Sequence, residues 1–152
     1  MDETVALSQL DLNLLEFRKL KVCPVVIRNQ SHVQEILVFQ HPLAGVQLVK
    51  GILEKEETLS QAALRELREE SGILEASVKK YLGSWSSDFQ GQQWHFILCE
   101  AGNLPVSWTH FCEDDGGHSF HFFWYPLHEP SDNDWHPVYV SALNYLHEHL
   151  PF

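Results

Sequence analysis

The chain is poor in positive charge. Its 152 residues hold 10 Lys and Arg against 21 Asp and Glu, a formal net charge of −11 with histidines neutral. A long nucleic acid needs a basic footprint to offset its phosphates, and no Lys/Arg cluster supplies one, so DNA and RNA are not expected partners. A small polyphosphate is penalised less, because metal ions carry positive charge to it locally. Cysteine is scarce and odd in number: Cys23, Cys99 and Cys112, with no C-x-x-C spacing. That argues against a disulfide framework and for reduced thiols in a cytoplasmic protein. No apolar run approaches the length of a membrane span, and Met1-Asp2-Glu3 starts no basic stretch leading into an apolar one. Neither a membrane span nor a secretory leader is expected. Internal repeats, low-complexity segments and linkers are absent too. Length and apolar content suit a single domain over residues 1–152.

What the chain does have is a dense acidic segment, Gly51–Ile73. Thr58 is placed to cap a helix, with Gln61 three residues on completing a capping box. Leu59 to Ser71 contains neither Pro nor Gly and is rich in Ala, Leu, Glu and Arg, all good helix formers. Gly72 fits the position just past the helix end, where a left-handed backbone is usual. At about 100° per residue, Glu66, Glu69 and Glu70 share a face with Leu59, Ala62 and Ala63. Leu67 and Arg65 border that face, while Gln61 and Arg68 lie opposite. An ordinary charged surface helix is the bland alternative. Two costs count against it: like charges at i,i+4 repel, and carboxylates beside an apolar face lose hydration. A hard divalent cation, Mg²⁺ or Mn²⁺, removes both, and such ions are commonly shared between carboxylates and substrate phosphates.

These residues resemble the signature of the Nudix hydrolases. Gly51, Glu57, Arg65-Glu66-Leu67, Glu69-Glu70 and Gly72-Ile73 fill every fixed position of that family's box. Val46 to Lys50 reads as the strand that usually precedes it, and Trp124-Tyr125-Pro126-Leu127 looks like the family's late Trp-x-Pro-Leu. The resemblance covers about Cys23 to the end of the chain. It implies an α/β fold, the Nudix-type α/β/α sandwich with a mixed β-sheet. It also implies a divalent-cation-dependent hydrolase of a diphosphate linkage in a small nucleotide-type substrate: a nucleoside di- or triphosphate, a dinucleoside polyphosphate or a nucleotide sugar. The other reading on the same fold is a non-catalytic nucleotide-sensing module, which is expected to lose carboxylates that this box retains.

Carried over position by position, Glu66, Glu69 and Glu70 are the expected metal ligands, with Glu66 and Glu69 catalytic. Gly51, Glu57 and Arg65 are supports. Glu113 is the candidate for a further acid or base, with Asp114, Asp115 and Glu100 behind it; the plain alternative for Glu113 to Asp115 is hairpin-turn chemistry. Two positions depart from the pattern. Lys50 stands where a second glycine is usual, and a Lys-Gly start resembles branches acting on dinucleoside polyphosphates or inositol diphosphates. Lys50 is therefore a candidate phosphate contact, against the alternative of an exposed strand-end lysine. Lys55-Glu56-Glu57 replaces the frequent Pro-Gly-Glu, which puts the loop geometry in question.

Elsewhere the pattern predicts strands over Pro24–Arg28, Val33–Gln40, Val78–Trp85 and Gln93–Cys99, a hairpin of Trp108–Cys112 with His118–Trp124, and a closing helix over Val138–Leu150. Residues 3–20 read as a helix or as a helix followed by a strand. His118 and His121 are three apart in a strand and so face opposite ways, which argues against a zinc pair and leaves either one able to meet phosphate. Trp85, Trp94, Phe96, Trp124 and Tyr125 suit core packing or base stacking. A homodimer stays open.

Overall fold

Strand residues of this chain are apolar on both sides, and that dictates a sheet covered on both faces. In Val33–His41, for example, Ile36, Leu37, Val38 and Phe39 are all buried. A computed structural model describes residues 19–113 and 116–150. Its elements are β1 (Leu20–Gln30), β2 (Val33–His41), β3 (Gly45–Gln47), β4 (Gly51–Ile52), α1 (Leu59–Ser71), β5 (Ala76–Ser86), β6 (Gln93–Ala101), β7 (Ser107–Cys112), β8 (His118–Pro126) and α2 (Pro137–His149). The strand order is β5-β6-β1-β2-β8-β7, with β3 added to β2 and β4 added to β1. β1 and β6 run parallel and the other pairs antiparallel, so the sheet is mixed.

The two faces build two cores. Val22, Val26, Leu37, Phe39, Ile97 and Phe122 pack with Ala62, Ala63 and Leu67 of α1. Their neighbours in the strands, among them Cys23, Val25, Ile36, Val38, Trp94 and Phe96, pack with Val138, Ala142 and Leu146 of α2. The α/β/α sandwich with a mixed sheet is the fold. Trp94 and Phe96 are wholly buried within the α2-side core.

The expected strand Val46–Lys50 is corrected. Ladder pairing ends at Gln47, and Leu48, Val49 and Lys50 belong to no strand. Here the chain leaves β2 and crosses to β1, where Gly51 pairs with Val22 and Ile52 with Lys21. The run resembles a strand because Leu48 and Val49 are both buried, one in each core. The crossing leaves an opening in the sheet. Beyond Val22, β1 next pairs on that side at Ile27, with Ile36 of β2. Pro24, which has no N–H to give a ladder, falls inside the unpaired interval. Of the undecided segment before β1, residues 1–18 lie outside the described region, as do Asp114 and Asp115.

Helix α1 has the expected bounds and ends. Gln61 N–H donates to Thr58 Oγ1 (3.1 Å), Thr58 N–H donates to Gln61 Oε1 (2.9 Å), and Gly72 takes φ +80° while its N–H reaches the Arg68 carbonyl (2.9 Å). Strand β7 then holds the C-terminal turn. Trp108 Nε1–H donates to the Ser71 carbonyl (2.8 Å) and His110 Nε2–H to the Glu69 carbonyl (3.1 Å). The helix is thereby fixed at both ends in the rotation that aims Glu66 at Gly51. Thr58→Ala is expected to lower stability by about 1 kcal/mol in urea unfolding, and Thr58→Ser to recover most of it, because only the hydroxyl is being tested.

Candidate functional site

The site begins with the loop between β4 and α1. Glu57 N–H returns to the Glu54 carbonyl (3.1 Å), and Glu54 N–H donates to Glu57 Oε1 (3.0 Å). The turn so closed carries Glu56 at φ +65°, the left-handed region that favours glycine. The loop that usually reads Pro-Gly-Glu is therefore formed here with Glu in the glycine position, at some strain.

Arg65 ties this loop to the helix. Its guanidinium has five N–H donors, and five acceptors meet it. Nε donates to Glu57 Oε2 (2.7 Å) and Nη2 to Glu57 Oε1 (2.9 Å), a bidentate fork. Nη2 also donates to the Ile52 carbonyl (2.8 Å), and Nη1 to Glu66 Oε1 (2.7 Å) and Glu69 Oε2 (3.2 Å). The hydrogen bonds from Arg65 hold the Glu57 carboxyl below the usual carboxylate range. Glu66 shifts the other way: burial raises it, and the Arg65 hydrogen bond and charge oppose the rise only in part.

Gly51 faces the Glu66 carboxylate so closely that a Cβ there would overlap its carboxyl carbon and both oxygens. Glycine is needed at this position for room rather than for φ. Glu70 lies one turn on, and its Oε2 accepts the Lys50 N–H (3.2 Å). Glu66 and Glu70 are buried, and their carboxyls come within hydrogen-bonding reach of each other. Glu69 differs from the expected inward placing. Its side chain is 41% exposed, at the rim, drawn along the i,i+4 direction toward Arg65.

Glu66, Glu69 and Glu70 line one wall of an open cleft of about 730 Å³. Among the described residues no three His, Cys, Asp or Glu side chains already form a closed metal cage. The donor set nevertheless fits a hard cation. Two carboxylates held together with little water need a proton or a cation between them, and a third stands beside them at the rim. Arg65 supplies one positive charge to Glu57, Glu66 and Glu69 together, so negative charge is left over.

The remaining predicted residues separate. Glu113 is exposed and does not line this cleft. Lys50 does, but its Nζ sits over the rings of Trp94 (4.5 Å), Tyr139 (5.4 Å) and Phe89 (6.0 Å). Burial, reinforced by the charge of Lys21, lowers its pKa to about 8. His118 lines the cleft, while His121 faces away and meets Thr109 Oγ1 (3.2 Å). His41, Gln47, Cys112 and Phe120 line the same cleft. No motif marked these four. The period-two alternation of β8, which puts Phe120 on the face of His118, is the signal that could have found one of them.

The family model described as the NUDIX domain matches residues 18–144. A comparison with curated protein sequences returned no match. Among solved structures, the NUDIX domain of Shewanella oneidensis NrtR complexed with ADP ribose is 19% identical with a TM-score of 0.59, covering 99% of this chain and 99% of that one. A NUDIX hydrolase from Nitrosomonas europaea is 21% identical with a TM-score of 0.61, covering 86% of this chain and 71% of that one. The C. elegans Ap4A hydrolase is 20% identical with a TM-score of 0.57, covering 86% and 97%. At these identities the likeness is one of fold.

Two outcomes follow from the geometry. Gly51→Ala, by displacing Glu66, is expected to weaken Mn²⁺ binding by roughly tenfold in paramagnetic resonance titrations while the circular dichroism spectrum is kept. Glu57, lowered in the folded state, adds stability that is present above its unfolded pKa of about 4.3 and is lost as pH falls through the folded value. Glu57→Gln is therefore expected to flatten the fall of the urea midpoint as pH drops below the usual carboxylate range. Glu66, raised by burial, acts in the opposite sense, losing its contribution as pH rises through its folded value.

Proposed function

The chain belongs to the NUDIX domain family, and from that premise we propose that it is a divalent-cation-dependent hydrolase of a diphosphate linkage in a small nucleotide-type substrate. The observation that carries this reading is the clustering of Glu66, Glu69 and Glu70 at one wall of a cleft, with Glu66 locked between Arg65 and Gly51. Glu66, Glu69 and Glu70 would hold Mg²⁺ or Mn²⁺. A bound divalent cation supplies charge neutralisation to the diphosphate and acidifies water. The chain's own contribution is positioning. Arg65 orients Glu66 and Glu69, Gly51 admits the Glu66 carboxylate, and the Lys50 N–H orients Glu70. Glu66 and Glu69 then accept the proton of the attacking water or direct it.

A nucleotide-sensing module without catalysis is the other reading on this fold. The retention of every box carboxylate favours hydrolysis over it. The substrate range we propose is a nucleoside di- or triphosphate, a dinucleoside polyphosphate or a nucleotide sugar. Support for small ligands comes from the shape of the cleft and from the acidity of the chain. A cytoplasmic setting is proposed on the three buried thiols. Among the described residues no helix is long and apolar enough to cross a membrane.

The test is a panel of diphosphate compounds with Mg²⁺ or Mn²⁺, scored by products. Hydrolysis of at least one member is expected, as is its loss by at least about a hundredfold in Glu69→Gln with the fold intact. A protein that releases nothing from any member, or a Glu69→Gln variant as active as the parent, refutes the hydrolase reading.

A further inference from the structure

The two long edges of the sheet are built differently. β5 closes one of them and carries the usual protections against stray pairing: exposed Lys79 and Lys80, and two register shifts, at Val78/Lys80 and at Tyr81/Gly83. β7 closes the other. Its register with β8 is unbroken, it has no proline, and neither β7 nor β8 contains an Asp, Glu, Lys or Arg. One side of β7 lies on α1 through Trp108 and His110, whereas Ser107, Thr109 and Phe111 are exposed on the other. Phe111 is 59% exposed, with its ring over Gly117, where a Cβ would come within 2.6 Å of Cζ; Val106, just before the strand, is 75% exposed. Among the described residues no strand pairs with the outer edge of β7. A chain of net charge −11 has thus kept its charges off this open edge.

We infer that β7 is an interaction surface for a second copy of this chain, joined edge to edge and antiparallel about a two-fold axis at Thr109. The inference goes beyond the hydrolase reading and does not depend on it. Three features select a second copy as the partner. An antiparallel strand is its own complement under a two-fold, so the same open backbone groups serve both sides. With Thr109 opposite its own copy, Ser107 comes opposite Phe111 and Trp108 opposite His110, so every pair meets on one face and no charge enters the pairing. Finally, Glu113 lies four residues from the axis, at opposite ends in the two copies. At the rise of a strand the two Glu113 residues stand about 26 Å apart, beyond the screening length of about 8 Å. Two strongly acidic chains can meet closely only where both lack charge, and this edge satisfies that condition.

The experiment is sedimentation velocity of the full chain over a range of concentrations. The parent is expected to form a species of twice 17.6 kDa whose share rises with concentration. Thr109→Lys and Phe111→Lys give β7 the charge that β5 already carries, and each is expected to weaken the association by at least about tenfold. Both positions are exposed, and melting temperatures check that the variants remain folded. Phe111→Leu, which keeps an apolar side chain, should stay dimeric. Tyr81→Lys, on the exposed β5 edge, should leave the association unchanged. The inference is overturned if the lysine variants on β7 associate as the parent does, or if Tyr81→Lys is the change that separates the copies. A parent that sediments as a monomer at every concentration overturns it too, and leaves the edge to a partner of another kind.

Discussion

The Arg65 guanidinium is the interaction on which the rest of the site depends. A planar fork with five donors can be fully used only if its acceptors lie in one plane, and here they come from the β4 backbone, from the loop and from two turns of α1. A lysine, with a compact ammonium, cannot replace such a fork. The same group balances two opposed demands. Its fork keeps Glu57 ionised, while the single Nη1 contact to Glu66 offsets only in part the burial that raises that carboxyl. Loop and helix are joined through charge, and one guanidinium faces three carboxylates.

The opening in the sheet gives the site its second constraint. Because Leu48 to Lys50 pass between β1 and β2 without joining either, the backbone N–H of Lys50 is left to meet Glu70 on the α1 side. Its side chain runs the other way, to Trp94 and Tyr139 in the α2-side core. One residue thus connects the two layers of the sandwich. Burial, with the nearby charge of Glu70 adding to it, holds the Tyr139 hydroxyl well above its ordinary pKa. The lysine that took the place of a glycine is therefore a structural link, whatever it later contributes to a phosphate.

Much of this was legible in the chain. The bounds and both caps of α1 follow from Thr58, Gln61 and Gly72, because these ends are chosen by local hydrogen bonding. Box positions declare a cluster of carboxylates, and period-two alternation sends His118 and His121 to opposite faces. The failures have a common origin in tertiary placement. Val46–Lys50 has the composition of a strand, but pairing depends on which neighbours are in reach, and the crossing chain leaves that reach. Glu69 belongs to the inward face by helical phase, yet Arg65 draws it to the rim. Glu113 is adjacent in sequence to Cys112 in the cleft wall and still lies outside it. His41 could not be found at all, because its place in the cleft comes from the neighbouring strand β8, which no spacing within β2 announces.

The parallel pairing of β1 with β6 has a consequence for how the molecule forms. Val22 lies between Gly51 on one side and His95 on the other. The whole acidic segment is thus contained in the loop that must close before β1 and β6 can meet. Closure of so long a loop costs chain entropy that no local contact repays early. Helix α1 can form quickly from its own caps, but β4, which carries Gly51, is seated beside a strand whose other neighbour lies far along the chain. A nascent chain lacking β6 would carry every box residue and lack the strand that flanks β1 on the side away from Gly51.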